Sequence, residues 1–229
     1  MNYLIIGLGN FGVALATKLT QLGHEVIGVD SNLSKVEQLK NDITHTICAD
    51  CTDIHSAQDL PVKEADVVVV CIGEDNGNSI MATAIMKQLN AKRIIGRAVS
   101  QTQETVLQAM GIEEIVHPEL DSAEKMAKSL ATEGFIDAFE LSAEYSIVKI
   151  DVPERYSGMV LSETNIRSEF NITVLAIISR KKQRNLLGIR ASKNEIKDIA
   201  KGDSLLENED ILVVFGKVKD IEKFLGKNK

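Results

Sequence analysis

Residues 3–12 read Tyr3-Leu4-Ile5-Ile6-Gly7-Leu8-Gly9-Asn10-Phe11-Gly12, a short apolar run that leads directly into the pattern G-x-G-x-x-G. When a strand enters this pattern and a helix follows it, each glycine has its own task. Gly7 makes the tight turn, Gly9 lets backbone N–H groups approach a phosphate, and Gly12 lets the helix pack closely on the strand. The phosphate is then expected at the positive N-terminal end of that helix. The segment therefore predicts a nucleotide-binding loop.

The size and charge of the chain restrict the classes of function. Its 229 residues, of which 44% are apolar, are enough for one Rossmann-type domain and a smaller second domain. The 33 acidic residues exceed the 26 basic residues and leave a net charge of −7. This balance argues against a nucleic-acid partner and against adhesion to an anionic bilayer, so any association with a membrane is expected to go through a protein.

No feature of the sequence predicts export or direct membrane insertion. The longest apolar stretches, around residues 67–72 and 173–178, are far shorter than the roughly 20 residues of a spanning helix. No basic segment precedes the first apolar run, and three cysteines cannot form a fully paired disulfide set. We therefore expect a soluble protein of the reducing cytosol.

The first half of the chain alternates between strand and helix patterns. Short β-branched runs occur at residues 25–30, 45–50, 66–72, 94–95 and 115–116. Four consecutive valines within one of these runs favour a strand that is covered on both faces, as in the middle of a parallel sheet. Together with the opening run they predict an α/β fold, a Rossmann-type six-stranded parallel sheet within residues 1–118. Helices are expected around 15–22, 36–39, 80–89 and 105–110, with Gly23 and Gly111 as C-terminal caps.

A second, smaller α+β domain is predicted after the sheet. Apolar side chains at helical spacing indicate a crossover helix or linker at 119–133, which is either a connector or an oligomer contact. Residues 134–220 form the predicted second domain, and the basic run 181–184 is interpreted as a solvated hairpin turn. Strand patterns occur at 146–152, 173–178 and 211–215, and helices are expected at 165–170 and 219–225.

Polar residues follow several of the predicted strands, at the edge where open α/β sheets bind ligands. Asp30 closes the second strand about 20 residues beyond the glycine loop, where its carboxylate can accept hydrogen bonds from ribose hydroxyls and disfavours a 2′-phosphate. Asp50 ends the third predicted strand, and Gly73, Glu74 and Asp75 follow the fourth. Arg97 follows the fifth strand, and its guanidinium is suited to a phosphate. These residues extend the predicted nucleotide site along the sheet edge.

Two other patterns leave alternatives open. Cys48 and Cys51 have the C-x-x-C spacing of redox pairs and metal sites, although a second such pair is missing and Cys48 falls in an apolar strand where we expect it to be buried. Tyr145 and Lys149 have the spacing of short-chain dehydrogenases, which makes a soluble NAD-dependent oxidoreductase the alternative function. That chemistry needs both residues on a helix, whereas this segment resembles a strand and would separate them by roughly 13 Å. Because we find no nucleophile, base and orienting group together, we predict a protein that is not an enzyme.

Read in order, the motifs resemble those of the RCK (KTN) family, in particular the TrkA/KtrA-type cytosolic regulatory subunits of bacterial potassium uptake. The resemblance covers nearly the whole chain. It rests on the glycine loop, on Asp30, and on these segments: Asp50-Cys51-Thr52-Asp53, Cys71-Ile72-Gly73-Glu74-Asp75, His117-Pro118-Glu119-Leu120-Asp121 and residues 141–148.

The resemblance implies a regulator without catalysis. Such subunits form homodimers that assemble into an octameric ring beneath a membrane-embedded potassium transporter subunit of the TrkH/KtrB type, at the inner face of the cell membrane. The N-terminal domain binds ATP or ADP, or NAD(H), and Glu119 matches a position that can hold a divalent cation near the phosphates and the subunit interface. The nucleotide contacts predicted for this chain are Gly7, Gly9, Asn10, Phe11, Gly12, Asp30, Asp50, Cys51, Cys71, Gly73, Glu74 and Arg97.

Two departures from the family pattern bear on the ligands. Many members that respond to ATP carry arginine where this chain has Asn10, which favours NAD(H) over recognition of a γ-phosphate. Relatives that bind cyclic di-AMP in the second domain often use a segment with proline. Residues 185–203 contain no proline and have an extended pattern, so the resemblance does not extend to that ligand.

Overall fold

The computed structural model describes residues 1–131, 134–184 and 190–226. Its contacts divide the chain into two compact units, Met1–Asp121 and Ser122–Lys229. The domain boundaries predicted at residues 118, 133 and 220 stay predictions. The boundary between the two compact units falls inside one continuous helix, Pro118–Ala131. No helix in the described part of the chain has the length and apolar character needed to cross a membrane.

The first unit is the predicted six-stranded parallel sheet with helices between its strands. The strands are β1 (Asn2–Ile6), β2 (Glu25–Asp30), β3 (His45–Cys48), β4 (Val67–Val70), β5 (Ile94–Arg97) and β6 (Glu114–Val116), and their order in the sheet is β3-β2-β1-β4-β5-β6. The helices are α1 (Asn10–Gln21), α2 (Leu33–Gln38), α3 (Ile54–Ala57), α4 (Asn76–Gln88) and α5 (Gln101–Ala109), and α6 (Pro118–Ala131) follows the last strand. This strand order has its switch point between β1 and β4, where open α/β sheets bind ligands.

The central strands are apolar on both faces because both faces are buried. Leu4 and Ile6 of β1 pack in one core cluster with Val68 of β4, while Ile5 packs in a second cluster with Val67. Successive side chains of a strand point to opposite faces, so an unbroken apolar run is the pattern that a doubly covered strand requires.

The helices of this unit begin earlier than their apolar spacing predicts. Polar side chains cap the first turns: Asn32 caps α2, Asp75 caps α4 and Ser100 caps α5, each by accepting a hydrogen bond from a first-turn N–H. The predicted C-terminal caps are present, because Gly23 and Gly111 adopt φ values of +84° and +75°. Helix α3 was not predicted, since four residues are too few to show a helical period.

The second unit contains a five-stranded antiparallel sheet. Its strands are β7 (Phe135–Glu140), β8 (Tyr145–Asp151), β9 (Thr173–Arg184), β10 (Arg190–Ile199) and β11 (Ile211–Lys217), in the order β10-β9-β11-β8-β7. Helices α7 (Ile166–Phe170) and α8 (Val218–Phe224) accompany it, with short 3₁₀ turns at Glu154–Tyr156 and Leu161–Glu163. The smaller α+β domain is therefore confirmed.

Two details of the second unit differ from the sequence prediction. Strand β7 was not predicted, because it lies at an edge of the sheet where polar residues break the apolar alternation. Strand β10, at the other edge, lies within residues 185–203, which were predicted to be extended. Residues 181–184 were predicted in a hairpin turn but belong to β9, which continues to Arg184 and pairs there with Arg190. Residues 185–189, which are part of the stretch predicted to be extended, lie outside the described residues.

An aromatic cluster joins α8 to α7 and to the 3₁₀ turn at Glu154–Tyr156. The ring of Phe224 on α8 stacks on Tyr156 at 5.6 Å and meets the edge of Phe170 at 5.2 Å. Arg155 lies over these rings and donates a hydrogen bond of 2.7 Å to the carbonyl oxygen of Phe224. A charged hydrogen bond and ring contacts together anchor the end of α8.

The close approach of α1 to β1 predicts different effects for two loop substitutions. A Cβ added at Gly12 would lie 1.9 Å from the carbonyl oxygen of Gly7, whereas one added at Gly9 meets no atom within 4 Å. We expect Gly12→Ala to lower the free energy of unfolding by about 3 kcal/mol and Gly9→Ala to change it by less than about 0.5 kcal/mol. Urea unfolding followed by circular dichroism measures both, and equal losses for the two variants would contradict the close approach.

Candidate functional site

A cavity of about 410 Å³ opens at the carboxyl edge of the parallel sheet. It brings together every predicted nucleotide contact except Gly12, and Glu119 also lines it. Gly12 faces the carbonyl oxygen of Gly7 instead, so its role is to let α1 pack. The other lining residues, which were not predicted as nucleotide contacts, are Ile6, Val29, Ser31, Lys35, Ala49, Thr52, Ile72, Asp75 and Asn78.

The glycine loop leaves the N-terminal end of α1 open to an anion. Gly7 turns the chain with a φ of +93° and donates its N–H to the carbonyl oxygen of Val29 at 2.8 Å. Gly9 is the N-cap residue of α1, so no side chain caps this helix, and its first turn carries no acidic residue. The neighbouring helices α2 to α5 all have side-chain caps. First-turn N–H groups and the helix dipole therefore remain for a phosphate.

Asp30 is held against the glycine loop by two backbone hydrogen bonds. Its Oδ2 accepts from the N–H of Leu8 at 2.8 Å, and its Oδ1 accepts from the N–H of Asn32 at 2.9 Å. The ammonium of Lys35 lies 3.8 Å from the same carboxylate. A carboxylate has about four acceptor positions, so Asp30 can still accept from ribose hydroxyls while it fixes the loop.

The loop after β3 contributes a second carboxylate to the cavity. Oδ1 of Asp50 accepts hydrogen bonds from the N–H of Thr52 at 2.9 Å and from its hydroxyl at 2.7 Å. This local turn is typical of aspartate after a strand, and it places Thr52 and Cys51 in the cavity wall.

Arg97 lines the cavity, and three contacts hold its guanidinium in place. Its Nη1 donates to the carbonyl oxygen of Cys71 at 3.0 Å, its Nη2 pairs with Glu119, and its guanidinium lies 5.6 Å from the centre of the Phe11 ring. A Cβ added at Gly73 would lie 2.5 Å from the guanidinium. A side chain at position 73 would have to displace the end of Arg97, a packing reason for this glycine that its place after a strand did not reveal.

A buried glutamine fixes the backbone beneath Arg97. Nε2 of Gln103 donates to the hydroxyl of Ser79 at 3.0 Å and to the carbonyl oxygen of Arg97 at 3.3 Å, and its Oε1 accepts from the N–H of Val99 at 2.9 Å. Gln103 is 2% exposed. The role of Gln103 was not predicted, since a glutamine in the first turn of a helix gives no sign in the sequence that it will be buried.

The cysteines occupy other environments than the sequence predicted. Cys48 is exposed and Cys51 is buried, the reverse of the expectation for Cys48, because β3 ends at this position and the following turn folds Cys51 inward. Burial, together with the nearby carboxylates of Asp50 and Asp30, raises the pKa of Cys51 to about 12. Burial also raises the pKa of Cys71 to about 12, against the opposing charge of Arg97. Within the described ranges, no three metal-binding side chains are placed to hold an ion.

Tyr145 and Lys149 both lie on β8, as the strand pattern predicted. Tyr145 stacks on Phe215 at 5.8 Å, and the ammonium of Lys149 lies 3.9 Å from Asp137. The geometry gives no support to the oxidoreductase alternative, which needs the two residues one helical turn apart.

The chain is similar to known proteins over nearly its whole length. Residues 3–118 match the family model of the TrkA-N domain. Over 222 residues, 97% of this chain, the sequence is 32% identical to Ktr system potassium uptake protein C and 30% identical to Ktr system potassium uptake protein A, both of Bacillus subtilis; the matches cover 95% and 94% of those proteins. The structure of the GsuK RCK domain superposes with a TM-score of 0.66 at 16% identity, covering 98% of this chain and 47% of that one, which supports the fold.

The fold and the cavity define a two-domain protein that joins a Rossmann-type domain to a small antiparallel α+β domain. The chain belongs to the TrkA-N family and is related over nearly its whole length to the Ktr potassium uptake proteins. The resemblance to the RCK (KTN) family and to its TrkA/KtrA-type members is thereby confirmed.

The environments of the cysteines predict selective alkylation. A pKa of about 12 leaves roughly one thiolate in 10⁴ thiols at pH 8. We therefore expect iodoacetamide at pH 8 to modify Cys48 in the folded protein and to leave Cys51 and Cys71 unmodified until urea unfolds the chain. Mass spectrometry of the digested protein identifies the modified residues, and Cys48→Ser is the matched control. Rapid modification of Cys51 in the folded protein would revive the redox hypothesis.

Proposed function

We propose that this protein is the nucleotide-binding regulatory subunit of a membrane potassium uptake system. The proposal rests on one combination, an open glycine loop beside Asp30 in a chain related over its whole length to Ktr potassium uptake proteins. The GsuK channel bound to NAD is a structural neighbour with a TM-score of 0.64 at 15% identity. The match covers 98% of this chain and 39% of the channel chain. That this neighbour is bound to NAD supports a nucleotide as the ligand class.

The residues of the cavity fit a nucleotide in an extended arrangement. The phosphates lie at the N-terminal end of α1, in the open space beside Gly9 that no side chain occupies. Asp30 accepts from the ribose, and Asp50 and Cys51 form the wall on that side. The remaining predicted contacts, Asn10, Phe11, Cys71, Gly73, Glu74 and Arg97, line the rest of the cavity.

The charges of the cavity favour NAD(H) or ADP over free ATP. Five carboxylates line the described cavity, those of Asp30, Asp50, Glu74, Asp75 and Glu119, against the two cations Lys35 and Arg97. Each added phosphate increases the repulsion by these carboxylates. Compared with ADP, NAD(H) adds a nicotinamide riboside instead of a third phosphate, whereas ATP would need a divalent cation. We propose Glu119 as one ligand of such a cation near the subunit interface.

Regulation follows from differential affinity and needs no chemical step. A nucleotide that binds one conformation of the protein more tightly shifts the population toward that conformation. In this proposal the protein is not an enzyme. Its cavity offers buried thiols with raised pKa values and no paired nucleophile and base among the residues described, and the Tyr145 and Lys149 pair lies on a strand.

The assembly and location are proposed by analogy with the Ktr relatives. We propose a homodimer that assembles into an octameric ring and binds a membrane-embedded potassium transporter subunit of the TrkH/KtrB type. The protein itself would lie in the cytoplasm at the inner face of the membrane, held there by that partner.

Nucleotide binding tests the proposal directly. Isothermal titration of the purified chain with ATP, ADP, NAD⁺ and NADH is expected to show binding of at least one of them. Asp30→Ala should weaken that binding by about tenfold or more, because it removes charged acceptors for the ribose. Asp42→Ala is the matched control, since Asp42 is exposed and does not line the cavity. Absence of binding by the wild type to all four nucleotides would overturn the proposal.

A further inference from the structure

One ion pair connects the floor of the cavity to the helix that leaves the parallel sheet. Arg97 ends β5 and Glu119 lies in the first turn of α6, and the Arg97 Nη2 pairs with the Glu119 Oε1. The boundary between the two compact units falls within α6. The pair therefore links a ligand-lining residue to the helix that runs from one unit into the next.

The arginine side of this pair is fixed. The side chain of Arg97 is 13% exposed, its Nη1 is bound to the carbonyl oxygen of Cys71, and Gly73 leaves just enough room for its guanidinium. Its Nε is buried and has no hydrogen-bond partner within the described structure. A guanidinium that is largely removed from water needs an anionic partner to offset the lost hydration. In the ligand-free protein, Glu119 supplies that charge.

The glutamate side of the pair is free to leave. The side chain of Glu119 is 59% exposed, so water replaces Arg97 around its carboxylate at little cost. Its position in the first turn of α6 also suits a negative charge, because the helix dipole is positive there. The two partners are thus unequal, with a buried cation that must be neutralised and an exposed anion that can rotate into solvent.

We infer that a nucleotide phosphate replaces Glu119 as the partner of Arg97, and that this exchange frees the first turn of α6 from β5. The inference rests on the proposed nucleotide function. Both partners of the pair line the cavity, and a phosphate offers the guanidinium two oxygens in the bidentate geometry that it prefers. Glu119 is then a positioning residue that holds Arg97 ready and competes with the ligand.

The proposed exchange breaks one contact of α6, the ion pair between Glu119 and Arg97. His117, which precedes α6, keeps a separate contact of 3.3 Å between its Nε2 and the Glu104 carboxylate on α5. The exchange therefore loosens the start of α6 without detaching the segment that leads into it. Such a local change is of the kind that shifts a population between two arrangements of a helix.

Binding of NAD⁺ and ADP in EDTA tests the competition without a divalent cation. Glu119→Gln removes the competing charge and is expected to tighten binding about fivefold. Asp121→Asn, which removes the same charge from the same helix turn outside the cavity, should change the affinity by less than about twofold. In an Arg97→Gln background, Glu119→Gln should have no further effect, because the competition acts through Arg97. If Glu119→Gln still tightens nucleotide binding in the Arg97→Gln background, the effect comes from the loss of a negative charge in general, and the proposed exchange is overturned.

Amide hydrogen exchange across residues 121–125 tests the release of the helix. We expect exchange in the ligand-free Glu119→Gln variant to be several times faster than in the ligand-free wild type. The nucleotide should accelerate it in the wild type and leave the variant unchanged. Equal exchange in the two ligand-free proteins would overturn the inference, even if Arg97→Gln binds too weakly to measure. Should the wild type bind no nucleotide, the proposed function fails, while this ligand-free comparison still decides whether the pair restrains α6.

Discussion

The close contact between α1 and β1 is the constraint on which the first unit depends. Gly12 lies so near the carbonyl oxygen of Gly7 that no side chain fits between them. This contact sets the direction of α1 and places its uncapped N-terminal end over the switch point of the sheet. Asp30 then fastens the same loop through the N–H of Leu8. Loop, helix dipole and carboxylate are therefore one rigid arrangement, in which a phosphate and a ribose can be bound together.

The parallel sheet assembles the rest of the cavity from residues that are distant in sequence. Because all six strands run in one direction, their carboxyl ends meet at one edge, where Asp50, Glu74 and Arg97 join the glycine loop. The result is a cavity richer in carboxylates than in cations. Such a site can discriminate between nucleotides by their number of phosphates, which suits a sensor better than a site that binds every polyphosphate tightly.

The sequence allowed prediction of those elements whose burial leaves a clear pattern. Strand β4 was recognisable because both of its faces are covered, whereas polar residues in the edge strand β7 break its apolar alternation and hid it. The glycine loop and Asp30 could be predicted from their spacing. The pairing of Arg97 with Glu119, the burial of Gln103 and the exposure of Cys48 could not, because each depends on which loops and helices become neighbours after the sheet has formed.

The contacts that hold Arg97 determine which neighbouring residues can be substituted without moving it. The guanidinium is held by the main-chain carbonyl of residue 71 and not by the side chain of Cys71. The carbonyl is itself fixed by the strand ladder, since the N–H of Cys71 donates to the carbonyl oxygen of Ile6 at 2.7 Å. Replacement of the cysteine by another small apolar residue leaves this acceptor in place, while a side chain at position 73 would displace the guanidinium from it. Within this short turn, the position that holds the arginine through its main chain can change without moving it, whereas a change two residues later would move it.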